Sequence, residues 1–155
     1  MKSLTTTVAI ILTFAFCTVS CGKGEEAVPT QDNDISKLST TKMKITIGTY
    51  VFSATLYDNA SANAFKARFP LTLNMSELNS NEKYFDLPGS LPTNASVGNA
   101  IKAGDLTLYG NNTLVLFYKS FNSSYSYTRL GNVDNHTDLA AALGTGNAVV
   151  KFENN

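Results

Sequence analysis

From Met43 onward, apolar and polar residues alternate in short runs, the pattern of strands with one face against a core. "MKITI" sets Met43, Ile45 and Ile47 on one face and Lys44 and Thr46 on the other. Gly48-Thr49 predicts a two-residue hairpin turn, and the return strand "YVFSATLY" turns Phe52, Ala54 and Leu56 inward. "DNASANAFKARFP" switches to helical spacing: Asp58 or Asn59 can cap it, Ala62, Phe65 and Phe69 share a face, and Pro70 stops it. "PLTLNM" resumes the alternation with Leu71, Leu73 and Met75 together. Residues 79–100 read as irregular around a short "KYFDL" strand. "GDLTLYG" and "TLVLFYKS" form a hairpin through Gly110, Asn111 and Asn112. The run Leu114 to Tyr118 is apolar without alternation, as expected of a strand covered on both faces. "SYSYTRLGNV" alternates again and puts Tyr125, Tyr127 and Arg129 on one face. "TDLAAALG" predicts a short helix capped by Thr137 and closed by Gly144, and "NAVVKFE" ends the chain as a strand.

This reading amounts to about eight strands and two short helices, without an internal repeat, and argues for a β-sandwich or a closed barrel. Closure is favoured because few strands carry inward lysines or prolines that would protect an edge.

The first 41 residues are different. Lys2 precedes an apolar run of 13 residues, Leu4 to Phe16, which suits an export signal and is too short to span a bilayer. Both cysteines, Cys17 and Cys21, fall here, and the run ends in "TVSCG", which resembles a bacterial lipobox with Thr18 where leucine is usual. The expected organisation is a lipoprotein signal peptide over 1–20, a lipid-anchored flexible linker over 21–41 with Cys21 as the lipidated residue, and a β-barrel domain over 42–155. "KGEE" after Cys21 loosely resembles a surface-export signal of bacterial lipoproteins, so the expected location is the cell envelope, periplasmic or surface-exposed.

Charge and candidate chemistry narrow the function. Twelve basic residues balance twelve acidic ones, so nothing points to nucleic acid. "LYGNNT" is a hairpin turn with no Lys-Ser/Thr opening a helix, and no GxSxG elbow is present, so neither a phosphate cofactor nor a serine hydrolase is expected. His136 with Asp134 and Asp138 falls short of three convergent metal ligands and reads as capping decoration. Glu77, Glu82 and Asp86 with Lys83 read as surface ion pairs of little weight. Phe65, Phe69 and Met75 read as core, with a ligand-lined barrel mouth as the alternative. The row Tyr125, Tyr127 and Arg129 has two readings. It is a solvated wall with Arg129 over a tyrosine face, worth about 0.5–1 kcal/mol, or a shallow groove for an extended peptide or a small anion.

"MKITIGTYVFSATLYDNASANAF", "ELNSNEKY", "GDLTLYG", "LVLFY", "SYSYTRLG" and "GNAVVKFE", in that order, resemble the bacterial cyclophilin-like domain over about residues 42–153. The resemblance implies a closed eight-stranded β-barrel capped by two helices. In cyclophilins an arginine on a barrel strand, in text like "FHRVI", hydrogen-bonds near the prolyl nitrogen and weakens the amide resonance that slows rotation. "YTRLG" puts Arg129 in a comparable strand position, which makes it the candidate catalytic residue. The "PGF…QGGD" continuation is absent, and the chain has no tryptophan and one histidine. The expectation is a membrane-anchored cyclophilin-like binding module for a peptide or small ligand, without evident catalytic machinery; the alternative is a divergent prolyl isomerase using Arg129. Its candidate ligand residues are Tyr125, Tyr127, Arg129, Phe65, Phe69 and Met75. No cofactor is expected, and the oligomeric state is open.

Overall fold

The computed structural model describes residues 41–155. The expected signal peptide, the expected linker up to residue 40 and the expected lipid site at Cys21 lie outside the described residues. The strands are β1 (Thr41–Ile47), β2 (Tyr50–Leu56), β3 (Leu71–Leu78), β4 (Glu82–Asp86), β5 (Ser96–Ile101), β6 (Asp105–Tyr109), β7 (Thr113–Phe117), β8 (Phe121–Val133) and β9 (Ala148–Asn154). Two helices, α1 (Ala60–Lys66) and α2 (Leu139–Leu143), complete the domain.

All strand pairings are antiparallel, in the order β2-β1-β9-β3-β4-β7-β6-β8-β5. β2 returns to pair with the end of β8, Leu56 opposite Gly131, and this closes an eight-stranded barrel that leaves β5 outside. Glycine is required at this seam, because a Cβ on residue 131 would lie 2.3 Å from the Thr55 carbonyl oxygen. The register of β6 against β8 slips there, so that Leu106 faces Gly131 and Thr107 faces Arg129.

The alternation read from the sequence matches the inside of the barrel. Met43, Ile45, Ile47, Ala54, Leu56, Leu73 and Met75 are all buried in one core, while Lys44 and Thr72 point away from it. Gly48, with φ +55, makes the expected tight turn. Asn59 is the N-cap of α1: its side chain accepts from Ala62 N at 2.8 Å and donates to Arg129 O at 3.0 Å, which fixes the helix to β8. Phe65 packs edge-on against Phe69 and Phe152 at 5.0 and 5.4 Å.

Four details differ from the sequence reading. A ninth strand, β5, lies in the stretch taken as irregular; it pairs only with the first half of β8, through a bulge at Gly98-Asn99, so its side chains carry no regular alternation. Helix α1 ends at Lys66, and Phe69 reaches the core from the turn that follows. The N-cap of α2 is Asp138 without a side-chain hydrogen bond, because Thr137 bonds Asn135 instead.

The fourth is Lys83. It is not a surface residue but fully buried on the inner face of β4. Its Nζ donates to Glu77 Oε2, to Gly144 O at 3.0 Å and to Gly146 O at 2.5 Å, and it sits 5.4 Å from the centre of the Tyr118 ring. Tyr118 in turn donates to Glu77 Oε1 at 2.8 Å. Burial works to raise the Glu77 pKa, but the hydrogen bonds from Lys83 and Tyr118 outweigh it and hold the carboxyl below its usual range. Burial and the bond to Glu77 push the Tyr118 hydroxyl up to about 12. The lysine fastens the α2–β9 loop to β3 and β4.

Candidate functional site

The second apolar region lies on the outside of the barrel. Antiparallel register aligns the outward positions Tyr84, Val115, Thr107 and Arg129 across β4, β7, β6 and β8, with Tyr109 opposite Tyr127 one step along. β7 is therefore buried on both faces, as its unbroken apolar run requires: Leu114 and Leu116 inward, Val115 and Phe117 outward. Val115, Phe117, Ile101 and Tyr127 form a separate buried cluster with Tyr84 and Phe121 against it. Its rings meet edge to face, Phe117 with Tyr127 at 5.4 Å and Phe117 with Phe121 at 5.5 Å. Tyr109 lies 5.8 Å from Tyr127 and 6.0 Å from Tyr125.

Tyr84, Tyr109, Phe121, Tyr125 and Tyr127 line one side of an open cleft of about 400 Å³. The β3–β4 turn forms its other side. Asn79 and Ser80 both take left-handed φ, +53 and +54, and bring Asn81 and Glu82 into the cleft wall. Glu82 is 8 % exposed and has no hydrogen-bond or ion-pair partner among the described residues. Asn81 Oδ1 is buried and likewise unpartnered. Burial first, then the Glu77 charge, raises the Glu82 pKa. Burial, with the Glu82 charge among lesser causes, also raises the Tyr127 hydroxyl. Glu82 and Asp86 are the charged residues of this lining, and Asp86 Oδ1 accepts from Thr113 Oγ1 at 2.6 Å. A buried polar atom without a partner is uncommon in a folded protein; Asn81 Oδ1 is one, and with the neighbouring Glu82 carboxylate, which has no partner among the described residues, it forms a place for a donor.

The tyrosine row divides at its third member. Tyr125 and Tyr127 line the cleft, whereas Arg129 opens onto a second hollow with Tyr57, Lys102, Asp105, Asn132 and His136. Its Nη1 lies 3.2 Å from Asp105 Oδ2, so the guanidinium is engaged by a carboxylate rather than stacked on a tyrosine. Asp134, beside His136, is held by Lys42 at 2.9 Å and by the Thr55 hydroxyl. Phe65 and Met75 are wholly inside the barrel core and Phe69 packs partly buried against it, so these three stand apart from the cleft.

Comparison with family models aligns residues 45–153 with the cyclophilin-like family, almost the whole described domain. The chain belongs to the cyclophilin-like family. Among solved structures, the solution structure of a hypothetical protein from Archaeoglobus fulgidus superposes with a TM-score of 0.55 at 15 % identity, over 75 % of this chain and 95 % of that one. At that identity the likeness is one of fold. Comparison with curated proteins finds no match. Within this cyclophilin-like barrel, Glu82 is not part of the surface ion pair expected from the sequence but is buried, and Asn81, Tyr84 and Tyr109 were not marked by the sequence. The available signal was in "EKYFDL": Lys83, Phe85 and Leu87 share one parity, two of them apolar, which makes the lysine face inward and turns Glu82 and Tyr84 outward.

Proposed function

We propose that this chain is a cyclophilin-like binding module, held to the membrane through a lipid on Cys21, that takes a small ligand or peptide side chain in the outer-wall cleft. The observation that carries the reading is the pairing of an aromatic wall with unpartnered acceptors at Asn81 and Glu82. Aromatic rings supply contact area, and a few fixed polar groups supply orientation. The anchor rests on "TVSCG": a small-residue run ending in a thiol suits diacylglyceryl transfer, and more than one acyl chain makes a lasting tether.

The cleft is tested by titrating the isotope-labelled chain with a mixed fragment library and following backbone amides by NMR. The reading expects perturbations to cluster at Glu82, Tyr84, Tyr109 and Tyr127. Perturbations gathered instead around Arg129, Lys102 and His136 would move the site to the second hollow. Cys21→Ser should abolish fatty-acid labelling and free the protein from membranes; unchanged labelling would reject Cys21 as the lipid site.

A further inference from the structure

We propose that the cleft is selective for a primary ammonium group on an apolar stem, with Glu82 as its counter-ion and Asn81 Oδ1 as its second acceptor. This rests on the cleft being the binding site and adds the chemical class of the ligand. Three observations carry it. Glu82 is more than nine-tenths buried yet has no donor among the described residues, and no lysine or arginine is among the described residues that line the cleft. Asn81, in the same wall, has a buried amide oxygen that is also without a donor among the described residues. Half of the remaining lining is aromatic: Tyr84, Tyr109, Phe121, Tyr125 and Tyr127.

An ammonium group answers all three. It carries three N–H donors and no acceptor, so two donors satisfy Glu82 and Asn81 while the third meets water or a ring. Its charge compensates a carboxylate that the fold leaves uncompensated, and aromatic faces attract cations. An anionic ligand would meet Glu82 and Asp86 with no cation to offset them, and a neutral hydroxyl would leave the carboxylate charge unpaired. The contrast with Lys83, one residue away, excludes an internal solution: the inner carboxylate, Glu77, already holds that lysine, which lies on the opposite face of β4.

The test uses three matched probes on the full chain at neutral pH: phenethylamine, the neutral 2-phenylethanol and the anionic phenylacetate, each titrated by NMR. Phenethylamine should bind at the cleft about tenfold or more tightly than the alcohol, the scale of a hydrogen bond to a charged group, and phenylacetate should bind weakest. Glu82→Gln should bring the amine down to the alcohol and leave the alcohol unchanged. On wild type alone, amine affinity should fall as pH drops and Glu82 takes up its proton, beginning above the usual carboxylate range because burial holds that pKa up. The titratable groups around Glu82 are Glu77 from β3 and Tyr118 after β7, coupled to it through the strand, and Tyr84 and Asp86 from β4 with Tyr109, Tyr125 and Tyr127 from β6 and β8 in the cleft. Acid loss of amine binding with constant alcohol binding points to a carboxylate, and Glu82→Gln identifies which. Equal amine and alcohol affinity, or amine binding indifferent to both pH and Glu82→Gln, would overturn the inference while keeping the cleft as a site. Perturbation of no cleft amide by any probe would overturn both.

Discussion

Glu82 and Lys83 are neighbours on one strand, both buried, and their circumstances are opposite. Lys83 points into the barrel and has an acid, two carbonyls and a ring around it. Glu82 points to the outer wall and has no hydrogen-bond or ion-pair partner among the described residues. A buried charge that is fully partnered belongs to the architecture, because removing either member strands the other. A buried charge left alone lowers stability, and a fold that retains one keeps it for some other purpose. The inner and outer faces of β4 thus separate the part of the molecule that holds itself together from the part that is incomplete alone.

The strongest way to break this comparison is to remove the inner charge. Lys83→Ala should lower stability by about 3–5 kcal/mol, since Glu77 loses its counter-ion and the α2–β9 loop loses its fastening; urea unfolding measures it. A loss within experimental error would mean that the inner network is as dispensable as a surface pair.

The two acids also have opposite acid responses. The folded pKa of Glu77 lies below its ordinary value, so its contribution is present at neutral pH and disappears as pH falls through that lowered value. The folded pKa of Glu82 lies above its ordinary value, so the folded state binds its proton more tightly and gains stability as pH falls through the raised value. Unfolding measured against pH should therefore show Glu77→Gln flattening the acid-side loss and Glu82→Gln removing a gain at higher pH. Asp134, held low by Thr55 and Lys42 against the effect of burial, adds to the acid-side loss in every variant.

The smallest effect should come from Arg129. Its side chain is 41 % exposed and its partner Asp105 keeps a second bond from Lys102 N, so Arg129→Ala should cost at most about 1 kcal/mol. It should leave amine binding in the cleft unchanged, because Arg129 faces the other hollow. A parallel proline-isomerisation exchange measurement on an X-Pro peptide tests the catalytic alternative directly.

The inside of this molecule was legible in the sequence because period-2 alternation reports a single buried face. Met43, Ile45, Leu73 and Met75 fell where their parity put them, and the unbroken Leu114 to Tyr118 run announced a strand covered twice. The outer wall was legible only in part. Tyr125 and Tyr127 showed as a row, but their partners come from β4 and β6, and no local pattern tells which distant strands a closing barrel sets side by side. Arg129 continued the row in parity yet fell into another hollow, because the slipped register near Gly131 and the Asp105 carboxylate turn it away. Lys83 and Glu82 were misread for a simpler reason: charged residues are mostly exposed, and that expectation outweighed the parity of a short strand. β5 was missed because it bonds on one side only and is bulged.

The central claim is that the fold does not use the Glu82 charge, and one measurement addresses it most directly: urea unfolding of Glu82→Gln beside wild type at neutral pH. Gln keeps the shape and removes the charge, so the account predicts an unfolding free energy equal to wild type or higher. A loss of more than about 1 kcal/mol, the scale of a hydrogen bond the fold had been using, would show Glu82 to be structural and contradict the account.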